Sequence, residues 1–215
     1  MHEPIPALSL KERQRQQRKA LILQATEEVL LEKDYYELSM DEIAARVGIA
    51  KGTLYLHFAR KEDLVLAILE EQLQGIIQML QSIVATPGSA QIRLEKILKS
   101  VFLSLRGQRG RLLYALFGAV ELRSILKEHH RSMFDQLTSI LMGLIEEGKA
   151  SGEFDPSLPN PIMLHTFTSM LASYSFKRLL LSEAIKPEEL VEYVSLIYFR
   201  GIANPASSSH PERRC

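Results

Sequence analysis

The chain has 215 residues, 46% of them hydrophobic and 24% charged, with 26 basic side chains balanced by 26 acidic ones. That length bounds it to one domain or a small one joined to a larger one, and the charge balance excludes a uniformly basic coat while leaving room for a local basic face. A single cysteine, Cys215, excludes a disulfide framework and a cysteine-built zinc site, and no apolar run approaches the roughly 18 residues a membrane span requires.

Proline is absent between Pro6 and Pro87 and again between Pro87 and Pro156, in stretches rich in Leu, Ala, Glu, Gln, Lys and Arg. These residues lose little rotamer freedom in a helix, and no sustained alternation marks a strand. The chain reads as all-α. The first helix is expected over 10–33, with Leu21, Ile22, Ala25, Val29 and Leu30 on one face. Ser39 reads as the N-cap of a second helix, Met40 to Val47, which stops at Gly48. A short helix over 50–58 and a long one over 61–84 follow. Further helices are expected over 89–105, 111–126, 127–151, 160–183 and 187–201. The amino-terminal residues 1–9 and the polar tail 204–215 read as unstructured, and the leading segment lacks the apolar core of a secretion signal. These features predict a cytoplasmic protein with no membrane attachment.

The informative segment is Leu38–Lys61, where two short helices meet at Val47-Gly48-Ile49. Gly48 can take the positive φ of a tight turn, Ala44 permits close helix approach, and Ile43, Val47, Ile49, Leu54 and Phe58 supply a small core. This is the pattern of a helix-turn-helix, whose second helix presents side chains to the DNA major groove. Lys51, Thr53, Tyr55 and His57 remain for solvent on that helix. Residues 46–61 hold Arg46, Lys51, Arg60 and Lys61 and no acid, whereas residues 27–42 carry seven acids against Lys33. Lys11, Arg13, Arg15, Arg18 and Lys19 add a second basic run, suited to phosphate contacts.

The run I-A-x-x-V-G-I-x-K-G-T-L-Y-x-H-F-x-x-K-E-D-L resembles the TetR family of transcriptional regulators, matching at Ile43, Ala44, Val47, Gly48, Lys51, Gly52, Thr53, Leu54, Tyr55, His57, Phe58, Lys61 and Leu64. The resemblance covers about a quarter of the chain, residues 13–66. It implies that Tyr55, His57 and Lys61 position phosphates and that Lys51, Gly52 and Thr53 lie nearest the base edges. The sequence departs from the family at Asp34, where a helix-ending glycine is usual, and at Met40, which leaves a hydroxyl's phosphate contact to Ser39 or to none. Leu56 replaces a frequent second aromatic, and Arg60 fills an N-cap slot without a capping oxygen.

Other features carry less. Arg106, Arg109 and Arg111 read as a solvated turn in preference to a seat for an anionic head group. The adjacent His129 and His130 point about 100° apart on a helix and read as exposed or rim residues, while His165 reads as a core histidine. Ser124-Ile-Leu-Lys127 lacks the companion motifs of acyl enzymes, and no phosphate-cradling or nucleophile-elbow pattern occurs. No enzyme, cofactor or metal site is expected. In the carboxy-terminal part Phe102, Tyr114, Phe117, Met133, Met142, Phe167 and Met170 recur at helical spacing; the resemblance implies that some line an effector cavity for a small apolar or amphipathic ligand. Leu190, Val194 and Ile197, with Met163, Phe167, Met170 and Tyr174, form stripes suited to a homodimer interface.

The reading is a helix-turn-helix domain over 10–60 followed by a regulatory and dimerisation domain over 61–203. The chain would bind double-stranded operator DNA, palindromic in sequence, and release it on ligand binding. Control by a protein partner and a helical-bundle enzyme are the competing readings.

Overall fold

The computed structural model describes residues 9–33, 35–104, 107, 108, 112, 116, 128–171 and 185–205. Among these the chain forms eight α-helices: α1 (Leu10–Glu32), α2 (Met40–Val47), α3 (Lys51–His57), α4 (Lys61–Val84), α5 (Ala90–Ser104), α6 (Arg131–Ala150), α7 (Asn160–Leu171) and α8 (Pro187–Ile202), with a short 3-10 turn at Tyr35–Glu37. No helix among the described residues is long and apolar enough to cross a membrane. The expected helix over 111–126 lies largely outside the described residues, as do Asp34 and the second half of the expected 160–183 helix.

The chain divides into two compact units whose boundary falls inside α4, between Gln72 and Leu73. The first therefore extends past residue 60, because the first half of α4 contributes buried Leu64, Val65, Ile68 and Leu69 to it. Two polar bonds fix that half-helix: the Tyr35 hydroxyl donates to Glu62 at 2.8 Å, and Gln72 donates to Glu27 at 3.3 Å.

Local chemistry accounts for the amino-terminal helices. Ser9 and Glu12 close a reciprocal capping box that starts α1. Only from Ile22 onward does α1 bury a stripe, comprising Ile22, Leu23, Ala25, Thr26, Val29 and Leu30. Leu21, expected on that stripe, is exposed, because the preceding turns project beyond the packed part of the unit. Ser39 caps α2 through its hydroxyl, which accepts from the Glu42 N–H at 3.2 Å. Gly48 ends α2 at φ 72°, a left-handed conformation that a side chain would penalise. At α4 the capping oxygen comes from within the helix: Asp63 accepts from the Arg60 N–H at 3.0 Å.

The second unit packs α5, α6, α7 and α8 around Leu94, Ile97, Leu98, Phe102, Leu144, Ile145, Phe154, Phe167 and Tyr198. Gly148 makes room for Phe154, since a Cβ there would fall inside the phenyl ring's van der Waals radius. Glu153 accepts from the first N–H groups of α5, those of Ala90 and Gln91, at 3.3 and 3.0 Å. Burial opposes its charge, but these bonds and those from Ser151 and Ser89 outweigh it and hold the carboxyl below its ordinary range. Phe154 and Ala203 form an antiparallel bridge, and the Asn204 N–H donates to Glu153 at 3.0 Å. The described residues thus include Asn204 and Pro205 of the expected tail.

Two histidines depart from expectation. His165 is exposed on α7 instead of buried. His130, expected at the rim, is buried at the start of α6, while its neighbour His129 is exposed. His130 is the N-cap residue of α6, with a backbone outside the helical region, so the two histidines do not share one helix on which a 100° step would set them apart.

Candidate nucleic-acid interface

The helix-turn-helix assembles as the sequence implies. Ile43, Ala44, Leu54 and Phe58 are buried between α2 and α3, and the Ile49 N–H donates to Ala44 at 3.0 Å to close the turn. With Leu54 and Phe58 turned inward, α3 leaves Lys51, Gly52, Tyr55 and Leu56 exposed and Thr53 and His57 half-buried. Gly52 has no conformational excuse, since its φ is not positive. Nor has it a steric one, as a Cβ there would have nothing within 4 Å. Glycine costs up to about 1 kcal/mol relative to alanine in a helix interior, less in the first turn where Gly52 stands, and no contact within 4 Å of its Cβ position offsets that cost.

The charges are more paired than the linear count conveys. Arg46 forks onto Glu32 at 2.9 and 2.7 Å, and Lys33 bonds Glu42 at 2.9 Å, so these groups tie α1 to α2 and leave the reading face. The Arg46 bond also holds the Glu32 carboxyl below its ordinary range. Lys51 lies 2.6 Å from Asp41, an exposed pair that raises the lysine's pKa and that a phosphate or base edge would have to displace. Lys61 turns inward over the Tyr35 ring, 4.4 Å from its centroid, and donates to the Tyr35 carbonyl at 3.4 Å. Ser39, the other expected phosphate contact, is exposed; its hydroxyl oxygen accepts the α2 cap bond, which leaves the O–H able to donate to a phosphate.

The basic run of α1 lies beside the end of α3. Burial and the charges of Arg15, Arg18 and Lys19 lower the His57 pKa from its ordinary value, and Lys19 sits 5.9 Å over the Phe58 ring. Lys11, Arg15, Arg18 and Lys19 are exposed. An exposed helix flanked by cations on a second helix can engage a polyanion along its backbone while one face meets the base edges. The capping box at Ser9-Leu10-Lys11-Glu12 is legible as an S-x-x-E motif; the Arg46–Glu32 and Lys51–Asp41 pairs are not, because helical packing brings them together.

The remaining candidates are scattered. Phe102, Met163 and Phe167 are buried in the second unit's core; Met142 and Met170 are partly buried against it, and Met133 is half-buried on α6. Leu190 and Val194 are likewise core residues of the single chain, so they do not form an outer seam with Ile197, which is 74% exposed. The reason is phase: α8 turns Leu190, Val191, Val194, Tyr198, Phe199 and Ile202 inward, and Tyr193, Leu196 and Ile197 outward. Tyr114, Phe117, Tyr174, Arg106, Arg109 and Arg111 lie outside the described residues.

Residues 22–68 match the family described as "Bacterial regulatory proteins, tetR family". The chain is 28% identical over 140 residues to the fatty acid metabolism regulator protein of Bacillus subtilis (strain 168), covering 64% of this chain and 71% of that one. It is 32% identical over 88 residues to the HTH-type transcriptional activator FasR of Mycolicibacterium smegmatis, covering 41% of this chain and 40% of the relative. Among solved structures, the transcriptional regulator FadR from Bacillus subtilis in complex with stearoyl-CoA is similar with a TM-score of 0.71 at 22% identity, covering 85% of this chain and 98% of that one.

Proposed function

We propose that the chain is a DNA-binding transcriptional regulator of the TetR type, whose family model matches residues 22–68, and that it is a ligand-released repressor that binds a palindromic operator as a homodimer. The face formed by Lys51, Gly52, Thr53 and Tyr55 enters the major groove, and the α1 cations hold the flanking phosphates. The observation that carries this docking is Gly52, a helical glycine with no steric or conformational role in the unit that holds it.

The effector we propose is a long-chain acyl-coenzyme A thioester, a narrower form of the amphipathic ligand expected from the sequence. Likeness to a fatty acid metabolism regulator and to a regulator crystallised with stearoyl-CoA supports that class. Cytoplasmic location follows from the need to meet both DNA and a coenzyme A ester. Release by such a ligand requires only that it bind the DNA-competent and DNA-incompetent states with different affinity.

The test uses the full chain, a duplex selected from a random pool, and stearoyl-CoA as the titrant. Fluorescence anisotropy should show operator affinity falling at least about tenfold at saturating ligand, which corresponds to about 1.4 kcal/mol of coupling. Unchanged affinity overturns the effector class. A promoter fusion decides the sign of regulation, because the 32% identity to an activator favours activation as the second reading.

A further inference from the structure

We infer that Leu56 reads the C5 methyl group of a thymine in the major groove, making this position of the operator one selected by apolar contact. The inference rests on the proposed docking of α3 and assigns a specificity role to a residue for which the family resemblance implies none.

Leu56 is 80% exposed on a seven-residue helix. A lone exposed leucine is ordinary, so its setting must supply the reason. Successive helical residues are rotated by about 100°, which places Leu56 about 200° around α3 from the buried Leu54. Leu56 therefore stands on the crest of the helix, on the side facing away from the core. One turn earlier on the same crest is Gly52, where a Cβ would meet nothing within 4 Å. Lys51 and Tyr55 flank this crest on one side, Thr53 and His57 on the other. The most outward line of the helix thus lacks a hydrogen-bonding side chain, while its polar residues sit at the shoulders.

That arrangement selects its partner. Along the floor of the major groove the thymine methyl is the one projecting apolar group; cytosine offers only a C5–H at that place, and the other readable features are hydrogen-bond donors or acceptors. A leucine pressed against a cytosine amino group or a guanine carbonyl would desolvate it without replacing its hydrogen bond. Against a thymine methyl it buries apolar surface on both sides. Glycine one turn back lets the helix backbone approach the adjacent base pair closely. The charges decide between DNA and an apolar protein surface as the occupant: Arg15, Arg18 and Lys19 bear electrostatically on His57, the residue next to Leu56, so a body docked on this crest meets a cationic flank.

The experiment replaces thymine by deoxyuridine, one position at a time, in a duplex selected by the full-length protein. This removes a methyl group and no hydrogen-bonding atom. The wild type should lose about four-fold in affinity at one symmetric position per half-site, the factor one buried methyl carries. Leu56→Ala, folded by circular dichroism, should bind the thymine duplex more weakly and show no loss at that same position, with the other positions unchanged. Gly52→Ala should raise the melting temperature and weaken binding. A wild type that selects no duplex overturns the docking itself. A selected duplex insensitive to deoxyuridine at every position, or a sensitivity that Leu56→Ala leaves intact, overturns only the reading by Leu56.

Discussion

His57 sits where two charged environments compete. In the free protein, burial and then Arg15, Arg18 and Lys19 lower its pKa from the ordinary 6.5. A DNA phosphate brought against those cations offsets their field and favours the imidazolium, so the value in the complex is higher than in the free chain. Binding then takes up a proton. Operator affinity should rise as the pH falls through the bound-state value and level off below the free-state one. Folding stability should move oppositely. Because the folded value is the depressed one, the contribution of neutral His57 is complete above pH 6.5 and declines as the pH drops towards the folded value. Calorimetry in two buffers of different ionisation enthalpy should register the proton uptake. His57→Gln should abolish it and flatten the pH profile; a profile unchanged in that variant removes His57 from the interface.

At the scale of single elements, local punctuation was readable and distant partnership was not. Met40–Val47 could be bounded from residues alone because Ser39 and Gly48 carry their reasons with them, a capping hydroxyl and a tolerance for positive φ. The start of α5 has a local cap, the Ser89 hydroxyl accepting from the Ile92 N–H at 3.3 Å, but the group that joins it to a neighbour could not be so identified. That helix has no acid in its own first turn; Glu153 supplies one from more than sixty residues away. Arg93 is the sharper case, since its position on α5 gave no sign that it would be buried. Its guanidinium donates to the Val84 carbonyl at 3.2 Å and the Ser89 carbonyl at 3.4 Å while pairing with Glu147 of α6. It thereby fixes the carboxy end of α4 within the second unit. Arg93→Ala should cost roughly 1–3 kcal/mol in urea unfolding, because it leaves the part-buried Val84 carbonyl without its donor. Glu147→Gln should cost less than about 1 kcal/mol, since the Glu147 side chain is half in solvent and Arg93 keeps its carbonyl acceptors. Equal losses in the two variants would show that the ion pair, and not the carbonyl bonds, gives Arg93 its value.

For the whole molecule, the question is what covers the outer side of α8. A helix apolar on one face rests on a core; one apolar on two faces needs a second neighbour. The inward face of α8 is occupied by Leu190, Val194 and Tyr198, while Tyr193, Leu196 and Ile197 recur at helical spacing on the outside, 54%, 45% and 74% exposed. Two copies of such a stripe, crossing about a twofold axis, would form the apolar centre of an isologous interface. A stable interface buries about 800 Å² on each partner, so other surface must join these three side chains. Tyr193→Glu combined with Ile197→Glu should leave the protomer folded and make it sediment as a monomer. Val194→Glu should instead unfold the second unit, because it drives a charge into a packed core. The double variant should also lose roughly 100-fold or more in operator affinity, as half-sites about 34 Å apart are no longer engaged by one molecule. Its affinity for an isolated half-site should stay unchanged, since Lys51, Thr53 and Tyr55 are untouched. A double variant that remains a dimer would place the interface elsewhere, whereas a monomer with full operator affinity would break the link between twofold assembly and DNA recognition.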